Sequence, residues 1–297
     1  MQLTNFLLVV GAIGAMAHPS GIAHHHARHH RRGDAVHIKN VHQKPAPKAT
    51  STSATAVAAA AAPTAKPPSE DKSNKDQPTS DEYIPFCGSN TAAAKAKRVT
   101  YEQVMYKGNL GTANGCDWNS NMMLVPNNIA HKYLYGQEYI NVASEPYEVI
   151  CANKLGPDGR LTGMFETPGQ NVLRFMLAPG ESKFVVSDTN TQGVCAFAPH
   201  SIPKTPHGQW AGVWAEFDFA NISNGGWSGA DCSSLVAQHY DMDVPGCRMS
   251  EGGVDSTILP GGIGDNAYTR GMEELDGIGL NIVPGKTLIK VYVGFSG

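Results

Sequence analysis

Val213-Trp214-Ala215-Glu216-Phe217-Asp218-Phe219 is the stretch whose reading decides the fold. Side chains of a strand alternate between its two faces. Val213, Ala215, Phe217 and Phe219 therefore make one apolar face, while Trp214, Glu216 and Asp218 share the other. An apolar strand face has to be covered by a second layer. Working outward, short runs rich in β-branched and aromatic residues recur at 147–151, entered through Pro146, and at 172–177, 183–187 and 287–294. Between them stand Gly156-Pro157-Asp158-Gly159, Pro179-Gly180, Pro245-Gly246 and Pro284-Gly285, where proline presets φ and glycine accepts positive φ. Helical periodicity is scarce. Only 266–275 and 92–98 suggest short helices. The expectation is an all-β domain over 83–297, a β-sandwich or partly closed barrel with short helices. At about 215 residues it is large enough for a core of its own.

The N-terminus reads differently. An apolar run from Phe6 to Met16 closes on Ala15-Met16-Ala17, the small-x-small pattern that signal peptidase cuts. The run is too short to span a bilayer, which takes about 20 apolar residues. Residues 1–17 are thus expected to be a signal peptide, and the protein secreted, with no membrane partner. Residues 18–82 hold His24-His25-His26-Ala27-Arg28-His29-His30-Arg31-Arg32, then Pro/Ser/Thr segments and an alanine run. So little of this is apolar that burial cannot offset an ordering entropy of ~1–2 kcal/mol per residue. The segment reads as a disordered leader, with a dibasic processing site after Arg32 and an O-glycosylated linker over 45–68.

Export into an oxidising compartment suits the cysteines. Cys87, Cys116, Cys151, Cys195, Cys232 and Cys247 all fall in the domain, and three disulfides are expected from fifteen possible pairings. They brace loops. Residues 1–82 carry a net charge of +3 and the remainder −6. An acidic domain is a poor match for phosphate backbones, so no nucleic-acid partner is expected. Neutral imidazoles of the His-rich leader would bind copper, zinc or nickel without selectivity, and no structural metal is expected in the domain. GxSxG, HExxH, P-loop and dinucleotide fingerprints are missing, and no cofactor is expected.

Five ordered motifs carry a resemblance. They are Tyr106-Lys107-Gly108-Asn109-Leu110-Gly111, the segment 153–163, Trp214-Ala215-Glu216-Phe217-Asp218-Phe219, Gly226-Trp227-Ser228-Gly229 and Asp276-Gly277-Ile278-Gly279. Over roughly 101–295 the chain resembles the secreted fungal allergen family typified by the Asp f allergen number four of Aspergillus. The resemblance implies an extracellular fungal protein that IgE binds, and it implies no reaction. A fainter likeness concerns fold. Segment 175–182, Ala215-Glu216-Phe217, segment 231–236 and Asp243-Val244-Pro245 resemble signposts of thaumatin-like proteins. That likeness implies a flattened sandwich with an acidic cleft associated with β-1,3-glucan.

Glu216 and Asp231 are the positions matching that cleft, with Asp218 on the same strand face as Glu216. Two carboxylates flanking a glycosidic bond act as acid and base or nucleophile, with retention at ~5 Å separation and inversion at roughly 6.5–9.5 Å. The plainer reading makes Glu216 and Asp218 the solvated side of a strand. Trp210, Trp214 and Trp227 fall within 18 residues. Exposed, they would stack on sugar rings; otherwise they are core. Trp227, flanked by Gly225-Gly226 and Ser228-Gly229, is the one suited to a loop. Asn221-Ile222-Ser223 is a glycosylation sequon and implies a surface loop after the Phe219 strand. The expectation is a non-enzymatic extracellular or wall-associated protein binding cell-wall glucan through aromatic and acidic residues. The alternative is a glycoside hydrolase acting on β-1,3-glucan. A secreted effector aimed at a host protein is a third reading.

Overall fold

The structure is a computed structural model, and it describes residues 81–87 and 108–297. The signal-peptide and leader readings on residues 1–80, and the helix expected at 92–98, lie outside the described residues.

Thirteen strands are formed among the described residues. They are β1 (Met122–Val125), β2 (Tyr135–Asn141), β3 (Tyr147–Asn153), β4 (Leu173–Leu177), β5 (Ser182–Ser187), β6 (Thr191–Pro199), β7 (Val213–Asn221), β8 (Trp227–Ser233), β9 (Cys247–Glu251), β10 (Val254–Leu259), β11 (Ile263–Asp265), β12 (Leu280–Ile282) and β13 (Thr287–Val293). Two short helices, α1 (Asn127–Ala130) and α2 (Leu235–His239), accompany them. The strands make two sheets, in the orders β1-β5-β2-β13-β9-β10-β11 and β12-β8-β7-β6-β3-β4. β13 runs parallel to β2, and the other pairings are antiparallel. This is an all-β sandwich.

The main core lies between the sheets. Val149, Phe197, Phe217 and Phe219 of the six-stranded sheet meet Tyr139, Val185, Met249 and Val291 of the seven-stranded one. That places the apolar face of β7 as its alternation requires. Its other face is where the sequence reading fell short. Every residue from Val213 to Asn221 is buried, because a second layer covers the outside of the six-stranded sheet. Trp118, Met164, Ile202, Trp210, Trp214 and Val236 form that layer. Alternation reports which residues share a side, not how many layers cover the strand.

Three disulfides form: Cys87–Cys116, Cys151–Cys195 and Cys232–Cys247. Cys151 and Cys195 are direct partners in the β3–β6 ladder. Cys232–Cys247 joins β8 of one sheet to β9 of the other. The expectation of disulfide-braced loops holds only for the first bridge; the others brace strands.

The helix expected at 266–275 is absent. Asn266 takes φ 49° and Gly271 φ 89°, and the Asn266 side chain replaces helical bonds with its own. Its Nδ2 donates to the carbonyls of Asp255 and Gly279, and its Oδ1 accepts from the Gly279 amide. A short amide side chain competing with the backbone is the known weakness of Asn within helices.

Candidate functional site

Antiparallel pairing sets Glu216 of β7 directly opposite Asp231 of β8. Asp218, two residues along, faces Gly229, which leaves it room. These three carboxylates are buried, at 1%, 0% and 4% exposure for Glu216, Asp231 and Asp218. Lys154, one residue beyond β3, reaches over β6 and brings its Nζ within 2.8 Å of Glu216 Oε2. Asn221 Nδ2 donates to Asp218 Oδ2. Glu216 Oε1, Asp218 Oδ1 and both Asp231 oxygens accept no hydrogen bond from the described residues.

The electrostatics follow from this burial. Desolvation pushes Asp218 up to about 7, against the pull of Asn221 and Lys154. Asp231 stands well above the usual carboxylate range, first through burial and then through the Glu216 charge, with Lys154 opposing. Burial by itself would lower Lys154, but Glu216, Asp231 and Asp218 outweigh it and hold the ammonium charged. Tyr268, 1% exposed, is raised to about 12, chiefly by burial, with Asp231, Asp276 and Glu216 adding to it.

The expected sugar-stacking rings separate. Trp210 and Trp214 are core, 3% and 5% exposed, and Trp214 Nε1 donates to the Trp210 carbonyl at 3.0 Å. Neither ring is open to a sugar. Trp227 opens β8 and is half-buried. Asn221 is not on a surface loop. It ends β7 at 1% exposure with its amide nitrogen bonded to Asp218, because the strand runs two residues past Phe219.

Two features escaped the sequence reading. Lys154 sits past a strand end, where no periodicity marks it, and its partner is 62 positions away. The other is a cleft of about 1070 Å³ at one end of the sandwich. Glu145, Tyr147, Ser201, Gln238, Asp241 and Asp243 are among its lining residues; Glu216, Asp218 and Asp231 are not. Asp241 pairs with Arg270, whose backbone amide donates to Gln238 Oε1 at 2.7 Å. Glu145 pairs with His200 at 3.2 Å. The lining juxtaposes carboxylate, amide and hydroxyl groups with the Tyr147 ring. That mixture suits a polar ligand with apolar faces. Among the described residues no group of three or more His, Cys, Asp or Glu is arranged to hold a metal ion. No helix there is long and apolar enough to cross a membrane.

Residues 120–293 match the model of the Allergen Asp f 4-like domain. The chain belongs to the Allergen Asp f 4-like family. Allergen Asp f 4 of Aspergillus fumigatus is 35% identical to it over 196 residues, 65% of this chain and 59% of that protein. The match thus spans less than two thirds of the relative. A solved structure, the protein elicitor MoHrip2 from Magnaporthe oryzae, is similar at a TM-score of 0.34 and 13% identity, covering 54% of this chain and 99% of that one. At that score the likeness carries no argument about function. The family match encloses the buried carboxylates, Lys154 and most of the cleft, so both candidate sites belong to the domain this Allergen Asp f 4-like protein shares with its relatives.

Proposed function

We propose that this Allergen Asp f 4-like protein is secreted and non-enzymatic, and that it binds neutral cell-wall glycan, β-1,3-glucan in the first instance, within the cleft at the end of the sandwich. The observation that carries the reading is the contrast between the two sites. A glycosidase needs its acid in contact with the scissile oxygen, whereas Glu216 and Asp231 are sealed and Lys154 lies against Glu216. The cleft is open, and its carboxylates, amide and hydroxyls are the partners sugar hydroxyls need. IgE recognition is proposed on the family resemblance, and secretion on the N-terminal signal.

Sedimentation of the purified full chain with insoluble β-1,3-glucan tests this. The protein should co-sediment without releasing reducing ends. Asp241→Asn with Asp243→Asn should weaken retention at least tenfold, and Glu216→Gln should leave it unchanged. Failure of the wild type to sediment would reject the glycan reading. Binding of IgE from sera that react with Allergen Asp f 4 tests the other arm.

A hydrolase acting on β-1,3-glucan is a second reading, favoured by one observation. Directly opposed strand residues hold their Cβ atoms about 4.5–5.5 Å apart, and Glu216 and Asp231 are such a pair. Side chains so opposed share one face of the sheet, which puts two carboxyl groups side by side as a glycosidase pair requires. Reducing ends released from laminarin by the wild type and not by Glu216→Gln would establish it.

A further inference from the structure

We propose that Asp218 and Asp231, buried beside the Glu216–Lys154 ion pair, form a proton-holding cluster that makes this sandwich acid-stable and loosens its β7–β8 ladder as the medium turns alkaline. This goes beyond glycan binding and does not depend on it.

The geometry carries the inference. Glu216 and Asp231 are opposed across the ladder at 1% and 0% exposure, and Asp218 follows at 4%. Among the described residues, the charged or titratable groups that bear on the cluster come from three places. Lys154 comes from the segment after β3, Asp218 from β7 itself, and Tyr268 and Asp276 from the segment after β11. β6 contributes none, since it sets Val194 opposite Glu216 and Gln192 opposite Asp218. β8 adds Gly229, which faces Asp218. One ammonium therefore answers three buried carboxylates, and full ionisation would leave two uncompensated charges away from water. Among the described residues no donor satisfies four of their oxygens, so nothing there offsets the cost of ionising them away from water. Two like charges this close do not both ionise readily.

The direction of the pH dependence follows. Asp218 is raised from 3.8 to about 7, and Asp231 is raised well above 3.8. The folded state then holds more protons than the unfolded one above pH 3.8, so stability falls as pH rises. The contribution is complete below about 3.8, is lost for Asp218 as pH rises through about 7, and is lost for Asp231 as pH rises through its own raised range. Asp158, Glu166, Asp241 and Glu273 are lowered and act in the opposite sense. They are solvent-facing and screened, so their effect is small.

Urea unfolding of the full chain, in buffers stepped from pH 4 to pH 9, reads the effect. The unfolding constant should grow with each pH unit by about tenfold for every proton the folded state holds in excess. Hydrogen exchange should rise first in the β7 and β8 amides. Asp218→Asn should flatten the profile between pH 4 and 7, and Asp231→Asn should make the overall fall between pH 4 and 9 shallower. If either variant fails to fold, infrared spectroscopy of the wild type serves in its place, with a buried protonated-carboxyl band present at pH 5 and lost on alkalinisation. A midpoint that is level or rising between pH 4 and 9, or a spectrum with no such band at pH 5, would overturn the proposal.

Discussion

At the residue scale the cluster turns on Lys154. Removing one member of a buried ion pair leaves the other charged and unsolvated, a loss of about 3–5 kcal/mol. Lys154→Met should therefore lower the unfolding free energy by that order at pH 7, and less at pH 4, where Asp218 and Asp231 hold their protons. Adding Glu216→Gln to Lys154→Met should recover part of the loss, which a double-mutant cycle would read. Asn221 belongs to the same scale. Its sequon is legible, but its amide nitrogen is committed to Asp218 inside the fold. Treating the protein, expressed through a eukaryotic secretory host, with a peptide-N-glycosidase should leave the mass of the domain unchanged. A three-residue pattern says nothing of burial, and burial decides whether a glycan has room.

At the element scale, β3, β4, β5, β7 and β13 were legible and the other eight strands of the described residues went unread, β6 and β8 of the six-stranded sheet among them. β6 carries Gly193, Ala196 and Ala198, and β8 carries Ser228, Gly229 and Ala230, none of them a strong strand former. They form strands because neighbours crowd both faces. A Cβ on Gly193 would lie 2.4 Å from Phe217 Cζ. Gly193→Val should overpack this contact, cost about 1–3 kcal/mol and lower the thermal midpoint. The same Phe217 ring makes β7 readable from its own residues and β6 readable only from its neighbour's. Cys232–Cys247 is an element-scale device as well, since it ties the two sheets across a separation of 15 residues. A loop of that length predicts about 3 kcal/mol of stabilisation, so Cys232→Ser with Cys247→Ser should show a loss of that order in denaturant.

At the scale of the whole molecule, the chain alone determined the class. Its two-residue alternation and proline–glycine punctuation dictate strands and turns, six cysteines behind an expected signal peptide call for bridges, and the ordered motifs lead to the family. These are local properties, carried by neighbours in sequence. Tertiary structure decided the rest. It chose one pairing of cysteines from fifteen, laid a second apolar layer over the outer face of β7, and enclosed carboxylates that local pattern leaves equally suited to solvent or to a cleft. It also brought Glu145 and Asp241 to one cleft and Lys154 to Glu216. The physical reason is that desolvation depends on what covers a group. Covering is supplied by residues tens of positions away, which no local pattern records.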